Sequence, residues 1–293
     1  MVNDFSSQTK VNMQIITSLD ELRNLCYQWR FSGVKTGLVP TMGYFHEGHM
    51  SLMQYARANS DKLITTLFVN PAQFGENEDL DTYPRDLERD AAIAKAQGTD
   101  ILFAPEAGAM YVEDHMTWVE VPHMAKRLCG ISRPVFFRGI CTVVTKLFML
   151  TLPSMAVFGE KDWQQLAIIR RMVNDLNIPT EIHGCPIVRE ADGLALSSRN
   201  VYLSPEERSK APHINKGLQV GCRRVKEGEK EVAAVKQAVR DYWQENVPDA
   251  KEDYLEIFHP HTLEYLEKID GEAHVACALQ YGRTRLIDNC SLA

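Results

Sequence analysis

Apolar positions along this chain fall into two patterns: short continuous runs, and longer stretches where they recur every three or four residues. The runs at 35–39, 63–69, 101–104, 155–158 and 180–188 predict strands buried on both faces, as parallel sheets require. The stretches between them predict helices. One opens at the capping box Ser18-Leu19-Asp20-Glu21 and continues to about Phe31; another runs from Gly48 to about Asn59. A third follows Tyr83-Pro84-Arg85 and closes at Gly98; two more cover 140–151 and 163–177. Residues 118–121 predict a further strand. Alternating strand and helix predicts a doubly wound α/β sheet. Beyond about residue 187 the order changes. The strong start Ser204-Pro205-Glu206-Glu207 opens helical sequence to about Glu227, a helix at 231–246 follows, and strands at 254–258, 273–279 and 285–287 come last. The expected organisation is an N-terminal α/β domain, 1–187, and a smaller C-terminal α+β domain, 188–293.

The first clear strand-to-helix turn, Val39-Pro40-Thr41-Met42-Gly43-Tyr44-Phe45-His46-Glu47-Gly48-His49, is the most informative stretch. Pro40 has no N–H for a ladder and ends the strand. Gly43 and Gly48 permit close backbone approach. A helix N-terminus presents unpaired N–H groups and a partial positive charge, and two imidazoles there add donors for phosphate oxygens. The spacing of Gly43 and Gly48 resembles a P-loop, but His49-Met50 stands where that motif needs lysine and a hydroxyl residue. Zinc is the competing reading, yet a helical zinc pair wants a spacing of four and a third ligand. For either histidine alone, a cap or surface position is the ordinary alternative.

Ligands of doubly wound sheets gather at the carboxyl ends of the strands, which puts His46, His49, Asn70 and Gln73 at one crevice. Polar residues end another strand at Gly159-Glu160-Lys161-Asp162, with Gln165 one turn further on. Lys161 suits a phosphate as a point charge. Ser197-Ser198-Arg199-Asn200 offers hydroxyls and a guanidinium fork, which suit phosphate; an ordinary polar loop is the alternative. Arg133 and Arg138, ahead of a helix, could help bind an anion, though a solvated face is the ordinary reading.

Composition narrows the field. With 293 residues, 45% hydrophobic and 24% charged, the chain is that of a soluble globular protein of one large or two ordinary domains. A net charge of −7 gives nucleic acid no bulk attraction, so an anionic substrate must meet local positive charge. Residues 1–10 are polar, without the apolar core of a signal peptide, and no run approaches the ~18 apolar residues of a membrane span. Seven scattered cysteines without a C-x-x-C motif predict free, mostly buried thiols and a cytoplasmic location.

Five segments in order resemble the pantothenate synthetase (pantoate–β-alanine ligase) family over nearly the whole chain. They are Pro40-Thr41-Met42-Gly43 with His46-Glu47-Gly48-His49; Phe68-Val69-Asn70-Pro71-Ala72-Gln73-Phe74; Tyr83-Pro84-Arg85; Gly159-Glu160-Lys161-Asp162-Trp163-Gln164-Gln165; and Asp192-Gly193-Leu194-Ala195-Leu196-Ser197-Ser198-Arg199-Asn200. His-x-Gly-His alone is shared with many nucleotidylyltransferases and class I aminoacyl-tRNA synthetases. The resemblance implies a Rossmann-like domain, ATP and Mg²⁺, and ligation of (R)-pantoate to β-alanine through a pantoyl adenylate. It implies His49 as proton donor, with His46 and Lys161 as its catalytic companions. ATP is then held by Met42, Gly43, Tyr44, Phe45, His46, Glu47, Gly48, His49, Gly159, Glu160, Lys161, Asp162, Val188, Leu196, Ser197, Ser198 and Arg199. Gln73 and Gln165, with Pro40 and Met42, hold the pantoate and β-alanine substrates. It further implies a homodimer through the N-terminal domain and a C-terminal domain that acts as a lid. One departure stands out: Glu88-Arg89-Asp90 carries arginine between acidic residues, leaving metal ligands unassigned with Asp90 as the candidate. Two rival activities are nucleotidyl transfer to a phosphate acceptor and non-catalytic nucleotide sensing. Glutamines rather than basic residues at the strand ends argue against the first, and the second leaves those glutamines and the second histidine without a task.

Overall fold

The computed structural model describes residues 12–76, 78, 80–282 and 284–292; the polar start at 1–10 lies outside them. Six parallel strands form the main sheet: β1 (Gln14–Ile16), β2 (Thr36–Val39), β3 (Lys62–Thr66), β4 (Ile101–Phe103), β5 (Met155–Gly159) and β6 (Glu181–Cys185), in the order β1-β4-β3-β2-β5-β6. From β2 the chain winds outward through β3 and β4, then returns to place β5 on the other side of β2. The strand order therefore reverses between β2 and β5, and a crevice opens beyond their carboxyl ends. This is a Rossmann-like α/β fold.

All four residues of β2 are buried, with helices on both faces of the sheet. One core side gathers Leu38, Ile64, Phe103, Ile140, Phe148 and Ile168; the other gathers Val39, Phe45, Met53, Leu63, Leu102 and Val157. Burying each large apolar side chain contributes roughly 1.5–3 kcal/mol. Ser18 caps the helix Leu19–Phe31 as expected, and Gly98, at φ 81°, follows the helix Leu87–Ala96.

A second, antiparallel sheet orders β7 (Lys251–Phe258), β8 (His274–Tyr281) and β9 (Thr284–Ser291) as β7-β8-β9. The helices Pro212–Lys226 and Val232–Asn246 cover one of its faces; Gly217 lets them close, since a Cβ there would lie 2.1 Å from Trp243 Nε1. The other face looks toward the crevice. The two sheets are joined by Trp163, which stacks on His274 with centroids 3.9 Å apart and donates to the Pro260 carbonyl at 3.1 Å.

Several sequence expectations need correction. Residues 118–121 form no strand: Val119 N–H donates to Thr142 Oγ1, and Trp118 stacks on Tyr111 beneath the Arg138 guanidinium. β3 stops at Thr66, because Phe68 N–H turns to the Thr41 carbonyl instead of a strand partner. The helical sequence expected at 204–227 is two helices, Pro205–Lys210 and Pro212–Lys226, since Pro212 has no N–H to continue the first. β1 was not predicted; two of its three residues are exposed, so it lacks the buried-strand pattern.

Candidate active site

A cavity of about 1280 Å³ lies over the carboxyl ends of the parallel strands, roofed by the second sheet. The sequence concentrates donors there because the turns after β2, β3 and β5 carry polar residues. His46 is the N-cap of the helix Glu47–Ala58. Its Nδ1 accepts from Gly48 N–H at 3.1 Å, and His49 Nδ1 accepts from His46 N–H at 3.3 Å. The rings sit 4.1 Å apart. Gly48 is needed between them, since a Cβ there would meet the His46 ring at 2.9 Å.

Burial, then the neighbouring Lys161 and Arg89 charges, lower the His46 pKa to about 4. Burial, then His46 and Lys161, lower that of His49 to about 3. Both rings are therefore neutral near pH 7. An Nδ1 that accepts a hydrogen bond carries no proton, so each ring bears its proton on Nε2. The site thus holds two neutral N–H donors, fixed in tautomer by backbone amides before any ligand arrives.

The loop ahead of them is held from below. Gly43 and Tyr44 take positive φ values of 90° and 52°. That turn aims two successive N–H groups, of Tyr44 at 2.5 Å and Phe45 at 2.8 Å, at the fully buried Asp90 carboxylate. Arg89 pairs with Asp90 at 3.3 Å and donates to the Phe45 carbonyl at 2.7 Å. Asp90 therefore anchors this loop and does not line the cavity. Sequence reasoning missed the task because it needs a partner 46 positions away.

Around Gln73 the cavity wall is built on side-chain amides. Asn70 Nδ2 donates to Gln73 Oε1 and to the Gly139 carbonyl, both at 3.1 Å, and Gln73 Nε2 donates to Met42 Sδ at 2.9 Å. The helix Phe136–Thr151 presses on this turn so closely that a Cβ at Gly139 would stand 2.3 Å from the Ala72 carbonyl. The paired glutamines divide: Gln165 lines the cavity, whereas Gln164 is buried and holds Cys129 N–H and the Met124 and Arg127 carbonyls. Arg133 and Arg138 divide likewise. Arg133 lines the cavity, bound to Glu78 and over the Phe136 ring, and Arg138 turns away to Trp118 and Glu120.

Lys161 also lines the cavity, and burial lowers its pKa, with Asp162 opposing that shift. Asn289 on β9 holds the turn before it, donating to the Glu160 and Lys161 carbonyls at 3.0 and 2.9 Å. The far wall carries Val188, Leu196, Ser197, Ser198 and Arg199. Its loop is fastened by Arg189 to Asp288 at 2.7 Å, and by Arg208 to Glu190 and Asp192 at 2.6 Å. Of the residues singled out in the sequence, Pro40, Met42, His46, Gly48, His49, Gln73, Gly159, Lys161, Asp162 and Gln165 share this cavity with that wall. Gly43, Tyr44, Phe45, Glu47 and Glu160 do not line it; Phe45 is fully buried and Glu47 points to solvent.

A helix N-terminus with two histidine donors, at the switch point of a parallel sheet, defines a nucleotide-binding α/β enzyme of the His-x-Gly-His type. Residues 14–291 match the family described as pantoate-beta-alanine ligase. A pantothenate synthetase of Nitratidesulfovibrio vulgaris is 58% identical over 280 residues, covering 96% of this chain and 99% of the relative. Another, from Oleidesulfovibrio alaskensis, is also 58% identical over 280 residues, covering 96% and 100%. The crystal structure of pantothenate synthetase from Thermus thermophilus superposes with a TM-score of 0.88 at 44% identity, covering 96% of this chain and 99% of that one. A pantoate-beta-alanine ligase from Francisella tularensis, complexed with beta-gamma ATP and beta-alanine, gives a TM-score of 0.78 at 31% identity, covering 96% and 98%. The chain belongs to the pantoate-beta-alanine ligase family.

Proposed function

We propose that the cavity carries out the family's ATP-dependent ligation of (R)-pantoate and β-alanine to pantothenate, with the following division of labour. In the first step a pantoate carboxylate oxygen attacks the α-phosphorus of ATP in line, the bond to pyrophosphate breaks, and pantoyl adenylate forms. Charge builds on the phosphoryl oxygens, so catalysis is positioning plus preorganised donors. His46 and His49 supply Nε2–H donors, Lys161 a cation, and Ser197, Ser198 and Arg199 grip the distal phosphates. Gln73 and Gln165 bind pantoate through neutral amides, which do not drain electron density from the attacking carboxylate as a cation would. In the second step the β-alanine amine attacks the acyl carbon and AMP leaves. The observation that carries this reading is the pair of neutral, backbone-fixed imidazoles lining the same cavity as Gln73.

Mg²⁺ fits as an ion borne by the phosphates. Among the described residues no cluster of three acidic, histidine or cysteine ligands exists, so Asp162, beside Lys161 in the cavity wall, is the side chain offered to it. Bound there, the ion would neutralise the departing pyrophosphate. Residues 188–293 act as the lid domain over residues 1–187, shutting water away from the adenylate. The working unit is a homodimer through the N-terminal domain, and the exposed Val112, Met116 and Trp118 offer it an apolar surface. A cytoplasmic location accords with the free cysteines, and no described helix is long and apolar enough to cross a membrane.

The test is exchange of labelled pyrophosphate into ATP. It is expected to require pantoate and to proceed without β-alanine. Exchange that ignores pantoate, or ATP binding with no exchange at all, would remove the reading.

A further inference from the structure

Of the seven cysteines, Cys26, Cys129, Cys141, Cys185 and Cys277 are buried and are not in sulfur–sulfur contact with Cys290. Burial pushes the thiols of Cys26 and Cys141 up to about 12, which leaves them inert. The remaining two are different. Cys222, on the helix Pro212–Lys226, and Cys290, on β9, bring their sulfurs to 2.9 Å although 68 positions separate them in the chain. Cys290 is the one cysteine of the seven that is not buried, so a reagent has a way in. Cys222 also reaches the Ser291 carbonyl at 3.6 Å, so both sulfurs rest against the end of β9.

We propose that Cys222 and Cys290 form a reversible dithiol–disulfide site that takes small-molecule disulfides as its oxidant. A bonded pair needs an S–S distance of about 2.05 Å, so closure asks the sulfurs to move by less than about 1 Å. The Cys290 S–H, then the Lys226 and Arg223 charges, favour a thiolate on Cys222. The Cys222 contact and burial push the Cys290 thiol up, so the thiolate rests on Cys222, and half-buried Cys290 gives the reagent its opening to the pair. One thiolate attacks RSSR, the reagent's S–S bond breaks, and RS⁻ leaves. The second thiolate then attacks the mixed disulfide and expels another RS⁻. Two protein thiols are oxidised, the reagent is reduced to two RSH, and the two thiol protons end on those products.

The cross-link has a place to act. It fastens β9 to the helix layer that backs the second sheet. The residue before Cys290 is Asn289, whose amide holds the Glu160 and Lys161 carbonyls. Closing a loop of this length constrains the unfolded chain strongly. It also steadies the strand from which the Lys161 turn hangs.

The experiment treats the reduced, full-length protein with oxidised glutathione and reads intact mass, thiol titre, peptide map and melting temperature. The expected product has five titratable thiols in place of seven, no glutathione mass, and a Cys222 peptide joined to the Cys290 peptide. Its Tm is higher by roughly 5–10 °C, amide exchange at 159–162 is slower, and dithiothreitol reverses all of it. Cys222→Ser and Cys290→Ala each abolish the closure, and the mass reading on the wild-type chain stands even if a variant folds badly. A glutathione adduct that persists on Cys290, a cross-link to Cys277, or seven thiols still titrating would overturn the proposal. Unchanged exchange at 159–162 in the cross-linked protein would overturn its link to the Lys161 turn.

Discussion

The wall that carries His46 and His49 and the wall that carries Ser197, Ser198 and Arg199 face one cavity but are held by different forces. The first grows out of β2, whose residues are all buried, and its imidazoles are pinned by backbone N–H groups. Its one buried charge, Asp90, is matched by two amides and a guanidinium. The second is irregular chain fastened by Arg189–Asp288 and by Arg208 with Glu190 and Asp192. Neutral donors in a packed frame cannot reorganise during a reaction, which suits the atom where charge develops. Charged donors on a loop tolerate movement and suit the far end of a substrate that must enter and leave.

The largest expected effect is on the packed wall. His49→Ala should leave the melting temperature nearly unchanged and slow adenylation by roughly 10²–10³, the usual loss of one preorganised donor. Single-turnover measurement with ATP and pantoate checks this, and a near-normal rate would remove His49 from the chemistry. Next comes Gly139→Ala. The added Cβ has to displace the Ala72 carbonyl, tilting the Asn70–Gln73 turn, and kcat/KM for pantoate should fall by about 10–100-fold with ATP affinity much less affected. Equal losses for both substrates would show that the turn does not serve pantoate.

On the loop wall the effects should be smaller. Arg199→Lys replaces a fork with a point charge, and KM for ATP should rise by roughly 5–20-fold while the adenylation rate at saturation changes little. No change in either constant would count against a phosphate role for Arg199. The smallest contrast is in pH. With folded pKa values near 4 and 3, the histidine pair keeps its neutral form well below 6.5, so adenylation should show no acid inflection at the usual histidine pKa. The sign for stability follows from the same shifts. Below about 6.5 the unfolded chain binds protons that the folded pair refuses, so stability is full above that pH and declines as pH falls toward 4 and then 3. A melting temperature flat from pH 7 to 4 would contradict those values.

Much of the packed wall was legible in the sequence because its signals are local. Pro40 ends a strand, Gly43 and Gly48 open a turn, and apolar spacing starts a helix, all within a dozen positions. The reversal of strand order then put Gln73 and Lys161 at the same mouth. What escaped depends on partners far along the chain. Asp90 resembles a metal candidate until its amides come from residues 44 and 45. Asn289 sits in a strand whose pattern says nothing about residues 160 and 161. Gln164 and Gln165 are indistinguishable by type, and only helix phase decides which one meets the cavity. The stretch at 118–121 has strand composition, but its neighbours are side chains of a helix rather than another strand.

The grip of Asn289 on two successive carbonyls has a mechanical consequence. Its other amide atom, Oδ1, meets His274 Nε2 at 2.9 Å, so a single side chain ties the central strand of the upper sheet to the turn that bears Lys161. If the upper sheet tilts, the lysine must swing with it. Roofing the chamber and moving Lys161 within it then become one displacement, and neither can run ahead of the other.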